Sequence, residues 1–267
     1  MKTNFHMHTR WCDGKDEPED MIRAAVAKGF STIGFSPHAM LPAGEPGNLS
    51  PESAPLFFAE VRALADKWCG SVEVICGVEA DYIPGLSSPD RSSYAELSPD
   101  YVIGSIHNVV KDSRRCPVDH APALLAKGLE EIFAGDAKAF VRRYFAQERE
   151  MVANFDFDVV GHPDLVRKFN LKHPYFDETA PWYLEELRLT ADAIAASGKI
   201  VEVNTGAISR GWLDDAYPSP VFRALLRERG VRFILSSDAH SADAIDCAFD
   251  RFSAAEDYLS RPVPGRG

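Results

Sequence analysis

Seven short apolar runs punctuate the chain, and most are followed by a longer stretch with helical hydrophobic spacing. The runs fall at residues 4–8, 31–35, 72–78, 101–106, 157–161, 199–203 and 231–235. Helices are predicted from Pro18 to Gly29, over about 51–68, from an Asp136 cap to about Asn154, near 179–197 and from Pro220 to Arg229. A last helix is expected over about 242–259, with residues 262–267 as a frayed tail. The remainder reads as a Pro- and Gly-rich loop at 40–50, a Ser- and Pro-rich loop at 84–99 and an irregular segment at 111–135. Strand alternating with helix specifies a parallel sheet, and strands this apolar are covered on both faces. No linker divides the seven units, so one domain over residues 1–267 is expected, closed or nearly closed as a β/α barrel. An open doubly wound sheet is the alternative, but it would leave its outermost strand ends too far apart to share a site.

The runs stop on polar side chains. The last gives way to Ser236-Ser237-Asp238-Ala239-His240, and the first carries His6 and His8. His38 follows the second run, Glu79 ends the third, and His107, His162 and Asn204 end the next three. Of eight histidines only His120 and His173 lie outside this set. A lone strand-end histidine is ordinarily structural; nearly all of them at one end of a barrel, where strand ends share a mouth, is not. Side chains two apart on a strand share a face, so His6 and His8 can grip one ion, with Glu79 and Asp238 completing the shell. Mixed nitrogen and oxygen ligation suits zinc, iron or manganese, and the lack of a cysteine ligand weakens a purely structural zinc site.

Charge narrows the choice of partner. With 29 basic against 40 acidic residues the formal charge is −11, which argues against nucleic acid and against a polybasic membrane patch. Five scattered cysteines without a Cys-x-x-Cys pair, and no signal-peptide pattern, suggest reduced thiols in the cytoplasm. No apolar segment approaches the roughly 20 residues that span a bilayer. Oligomeric state is not encoded in any pattern.

In order, His6-Met-His8-Thr, Asp13-Gly14, Ser36-Pro37-His38, Gly77-Val-Glu79, Gly104-Ser-Ile-His107, Gly161-His162-Pro-Asp164 and Ser237-Asp238-Ala-His240 resemble the motif series of the PHP (polymerase and histidinol phosphatase) superfamily. Asp81-Tyr82, Asn204-Thr-Gly206 and the overall length are similar to its histidinol-phosphatase branch. The resemblance implies an α/β fold, a distorted seven-stranded (β/α)7 barrel, with three divalent transition-metal ions (Zn, Mn, Fe or a mixture). It assigns His6, His8, Glu79 and Asp238 to the first ion, and Glu79, His107 and His162 to the second. Asp13, His38 and His240 would hold the third. At Asp13 the chain departs from the pattern, because relatives place a histidine one position later, where this chain has Gly14. Asp16 or Glu19 could stand in, and a plain turn is the bland reading of Asp13-Gly14.

The implied reaction is hydrolysis of a phosphate monoester, namely L-histidinol phosphate. A phosphate monoester is a dianion, so adjacent cations must neutralise it and acidify a water that attacks phosphorus directly, without a phospho-enzyme. Glu79, Asp238 and His240 are the expected catalytic residues; Cys12 lies nearby with no predictable base. Lys168 (with Arg167 competing), Arg210, Asn204 and Asn108 are the expected phosphate or substrate contacts, against the common fate of such residues as solvated charges or turn formers. A cationic substrate also calls for an acidic or aromatic wall, from Asp81, Tyr82, Asp164 or Glu45. Another small phosphate ester, such as a nucleotide or sugar phosphate, is the alternative substrate. A non-catalytic module of the kind attached to polymerases is the alternative role.

Overall fold

Residues 1–41, 44–255 and 257–263 are described by the computed structural model. In chain order their elements are β1 (Thr3–Asn4), α1 (Pro18–Ala27), β2 (Thr32–Phe35), α2 (Ser53–Trp68), β3 (Glu73–Cys76), β4 (Val78–Asp81) and β5 (Val102–Ser105). There follow β6 (Asn108–Lys111), β7 (Arg114–Pro117), α3 (Pro122–Phe133), α4 (Ala137–Asn154), β8 (Val159–Val160) and α5 (Pro181–Ser197). The chain finishes with β9 (Ile200–Asn204), α6 (Gly206–Ser209), α7 (Pro220–Glu228), β10 (Phe233–Ser236) and α8 (Phe249–Phe252).

Local chemistry explains most helix limits. Pro18 opens α1, its face of Met21, Ile22 and Ala25 is buried, and Gly29 takes φ +73° just beyond it. The Asp136 carboxylate accepts from the Ala139 amide and caps α4, as expected.

The strands form two parallel sheets, β1-β2-β3 and β10-β9-β8-β5-β4, plus an antiparallel β6–β7 hairpin. Single parallel bridges link the two sheets, Met7 beyond β1 to Ala239 beyond β10 and His38 beyond β2 to Glu79 on β4, where a closed barrel would have continuous ladders. The single sheet of seven strands expected from the pattern is therefore divided. The predicted third strand breaks at Gly77, where an added Cβ would lie 2.6 Å from the ring of Tyr101. That ring is fully buried, and its hydroxyl donates to the Phe5 carbonyl at 2.7 Å. The first predicted strand shortens to two ladder residues, and the Asn4 side chain accepts from the His6 amide.

Two apolar clusters result. The helices pack on the outer faces of the strands in a large one, while Phe5, Tyr101, Ile103, Val159, Ile200 and Ile234 form a smaller one whose members are wholly buried. Each such side chain contributes roughly 1.5–3 kcal/mol.

Two further expectations fail. The segment 111–135 is not irregular: it holds most of the hairpin and α3. Asp112 and Ser113, at φ +51° and +61°, form the tight two-residue connection whose twist suits a hairpin. The last helix, expected over about 242–259, is replaced by a 3₁₀ turn at Ala242–Ala244 and the single-turn α8, with Ala248 at φ +59° interrupting. Residues 264–267 of the expected tail lie outside the described residues. No described helix is long and apolar enough to cross a membrane.

Candidate metal centre

The side chains at the strand ends converge as expected. Glu79, 1 % exposed at the edge of β4, is the hub. Its Oε2 lies 3.1 Å from His6 Nε2, 3.1 Å from His38 Nδ1 and 3.5 Å from His8 Nε2. Its Oε1 faces His162 Nε2 at 2.9 Å and His107 Nε2 at 3.3 Å, and accepts from Ser105 Oγ at 2.7 Å. Asp238 Oδ1 is 3.4 Å from His8 Nε2 and 3.9 Å from His6 Nε2. Asp13, the most open member, reaches His240 Nε2 at 3.0 Å, His8 Nδ1 at 3.4 Å and His38 Nε2 at 3.5 Å.

These atoms form four overlapping groups able to hold a metal ion: His8-Asp13-His38-His240, His6-His8-Asp238, His6-Glu79-His162 and His38-Glu79-His107. The third expected trio is thus together, joined by His8. Glu79, His107 and His162 do not form one group; His162 associates with His6 and His107 with His38, with Glu79 common to both. Asp13 occupies the place left open by Gly14. An added Cβ there would sit 2.5 Å from the Thr9 amide nitrogen, so no larger residue fits this turn. Of the stand-ins, Asp16 accepts from the Ala242 amide, and Glu19 pairs with Lys67 and Arg23 on the outer side of α1.

The donors fit divalent cations. His6 Nε2, His8 Nε2 and Glu79 Oε2 are buried, mutually close and without a hydrogen-bond partner. A buried polar atom left so costs about 1–3 kcal/mol unless something else satisfies it. Burial opposes charging His6, yet Glu202, Glu79 and Asp238 push its pKa up to about 10. Burial likewise disfavours ionised Glu79, but His6, His38 and His107 hold it well below the usual carboxylate range. Buried carboxylates clustered with imidazoles favour positive charge at their centre. His162 and Asp238 sit at φ +23° and +51°, strained for residues with a Cβ and found where surrounding structure imposes a functional geometry.

A cavity of about 280 Å³ opens over this cluster, lined in part by Asp13, Glu79, Lys168, Arg210, Trp212 and His240. Of the two loop cations weighed after His162, Lys168 lines the cavity, whereas Arg167 is turned to Glu178 and Asp164. Arg210 rests on Asp238 (Nη2 to Oδ1, 3.1 Å) and donates to His240 Nδ1 at 2.8 Å. Asn204 does not line the cavity: its side chain donates to Glu202 and accepts from the Gly206 amide. Asn108 starts β6, offers its carbonyl to Gln147, and is likewise absent from the lining.

Three participants escaped sequence reasoning. Glu202, wholly buried on β9, binds His6 Nδ1 at 2.9 Å and accepts from the His162 amide at 2.9 Å. Its signal was available, since a carboxylate inside Ile200-Val-Glu-Val has no place in a central strand without a partner. Asp119 and His120 follow the hairpin into the cavity lining. Their signal was Asp112-Ser113 between two short strand-like runs.

The PHP domain family matches residues 4–206, and the chain belongs to it. The "Probable histidinol-phosphatase" of Deinococcus radiodurans is 29 % identical over 98 % of this chain and 95 % of its own. The histidinol-phosphatase of Bacillus subtilis is 22 % identical over 94 % of this chain and 98 % of its own. In three dimensions, a Listeria monocytogenes protein superposes with a TM-score of 0.82 at 18 % identity, covering 94 % of this chain and all of that one. A histidinol phosphate phosphatase from Lactococcus lactis, solved with zinc, L-histidinol and phosphate, has a TM-score of 0.64 at 21 % identity, over 90 % of this chain and 87 % of its own.

Proposed function

We propose that the chain is a metal-dependent phosphomonoesterase that converts L-histidinol phosphate to L-histidinol and phosphate. One observation carries the reading: unpartnered buried imidazole and carboxylate atoms converge beneath a cavity that also displays Lys168 and Arg210. The substrate follows from the relatives, whose names agree along nearly their full lengths. On this reading the two sheets act as one distorted seven-stranded (β/α)7 barrel, a single domain over residues 1–267, with β3 and β4 as one strand broken at Gly77.

His6, His8, Asp238 and Glu79 would hold one divalent ion, Glu79 with His107 and His162, whose Nε2 atoms both face its Oε1, a second, and Asp13, His38 and His240 a third. Bound zinc, manganese or iron there supplies charge neutralisation for the phosphate and lowers the pKa of water. The chain's own residues prepare this. Glu202 accepts a hydrogen bond from His6 Nδ1–H and Asp81 one from His107 Nδ1–H, which leaves each Nε2 facing Glu79 and the centre of the cluster. Lys168 and Arg210 present cations to the phosphate oxygens. The half-enclosed cavity sheds water around the ester and strengthens these attractions.

The test is turnover by the metal-loaded protein across a panel of phosphate monoesters. L-histidinol phosphate should be the preferred substrate by kcat/KM. If it is hydrolysed no faster than p-nitrophenyl phosphate, the assignment fails.

A further inference from the structure

L-Histidinol phosphate carries an ammonium group two carbons from its ester oxygen, so a selective site must offer that cation a partner. None of the four walls considered from sequence supplies one. Asp81 is engaged by His107, and Glu45 is paired with Arg115 at 2.5 Å. Tyr82 points its hydroxyl toward Glu150 and is not part of the lining. Asp164 is wholly buried, with one oxygen on the Ser219 amide.

Asp119 remains. It is the one acidic residue of the cavity lining that belongs to none of the metal-holding groups. Its carboxylate stands 3.1 Å from Lys168 Nζ, an amine whose side chain is 9 % exposed. The position is built, because the Val118 amide donates to the His107 carbonyl at 2.9 Å and ties the end of the hairpin to the cluster. Lys168 and Asp119 thus form a cation and an anion side by side at the cavity wall. The substrate bears the opposite pair, an anion and a cation.

Resting on the histidinol-phosphatase reading, we propose that Asp119 is the specificity residue for the substrate amine: on binding, the Lys168–Asp119 pair opens, Asp119 takes the ammonium and Lys168 the phosphate. Opening exchanges one largely buried ion pair for two contacts with the substrate's opposite charges, so neither Lys168 nor Asp119 is left buried without a partner. Each new contact is a charge-assisted hydrogen bond, a class that discriminates strongly between ligands that make it and ligands that lack it.

The experiment compares L-histidinol phosphate with 3-(imidazol-4-yl)propyl phosphate, which differs only in lacking the amine, and with p-nitrophenyl phosphate. The metal-loaded wild-type enzyme should show a KM at least about tenfold higher for the amine-free ester. In Asp119→Asn the ratio of kcat/KM values for the two imidazole esters should fall about tenfold or more, chiefly through KM, while Asp119→Glu should retain part of the preference. Equal KM values in the wild type, or an unchanged ratio in Asp119→Asn, would overturn the proposal while leaving the function standing. Wild-type hydrolysis of p-nitrophenyl phosphate without any preference for L-histidinol phosphate would instead remove the function, and this inference with it.

Discussion

Glu79 and Glu148 are both 1 % exposed, yet the protein treats them in opposite ways. Burial alone disfavours a carboxylate and raises its pKa. At Glu148, on α4, this effect wins: neighbouring Asp164 adds like charge, and the group is held well above its ordinary range. At Glu79 the same burial is overcome by the imidazoles of His6, His38 and His107, and the group is held well below its ordinary range. Depth therefore says little about what a buried acid does; its neighbours decide. Burial and Asp164 push the Glu148 carboxyl up, whereas the imidazoles around Glu79 pull its carboxyl down.

The strongest way to break this contrast is Glu79→Gln. Metal content should fall by elemental analysis and kcat/KM by about a thousandfold or more, since a hub carboxylate and its charge are lost together. Full metal content with full activity would refute the bridging assignment. Glu202→Gln tests the layer behind. Loss of the anion on His6 Nδ1 should weaken metal affinity about 10–100-fold in a competitive chelator titration, with less effect on kcat once metal is saturating. Lys168→Met should raise KM for L-histidinol phosphate roughly tenfold and lower kcat less, because it removes a substrate contact and leaves the cluster intact.

Glu148→Gln sharpens the other side of the comparison and should act on stability alone. The folded pKa is raised, so between the unfolded glutamate value near 4.5 and the folded value the native state retains a proton that the unfolded chain has released. Stability from this group is complete below that window and declines as pH rises through it. Urea unfolding at pH 5 and pH 8.5 should show the variant gaining on the wild type at the higher pH. A constant difference across both would mean that Glu148 is ionised in the fold.

How much of this could be read from the chain depended on how loudly a residue contradicts its surroundings. His6, His8, Glu79, His162 and Asp238 end apolar runs, so both their chemistry and their common location were legible. Their grouping around individual ions was not, because it depends on ångström-scale placement of ring nitrogens: His107 and His162 both face Glu79 Oε1, yet His107 also groups with His38 and His162 with His6. The division of the sheet was hidden in the packing of Tyr101 against Gly77, two positions 24 residues apart. The last helix failed for a local reason that periodicity does not carry, the left-handed Ala248. Arg210 was recognisable as a loop cation on the right rim, but its seat on Asp238 and His240 follows from tertiary structure alone.

The β6–β7 hairpin joins neither parallel sheet by a ladder, yet it brings Asp119 and His120 to the cavity. These two residues of the cavity wall thus arrive on an element separate from the strands that carry His6, Glu79 and Asp238, joined to the cluster through His107. Variation in the far end of this short β-ribbon, with the bond between Val118 and His107 kept, gives such a fold a route to altered cavity walls.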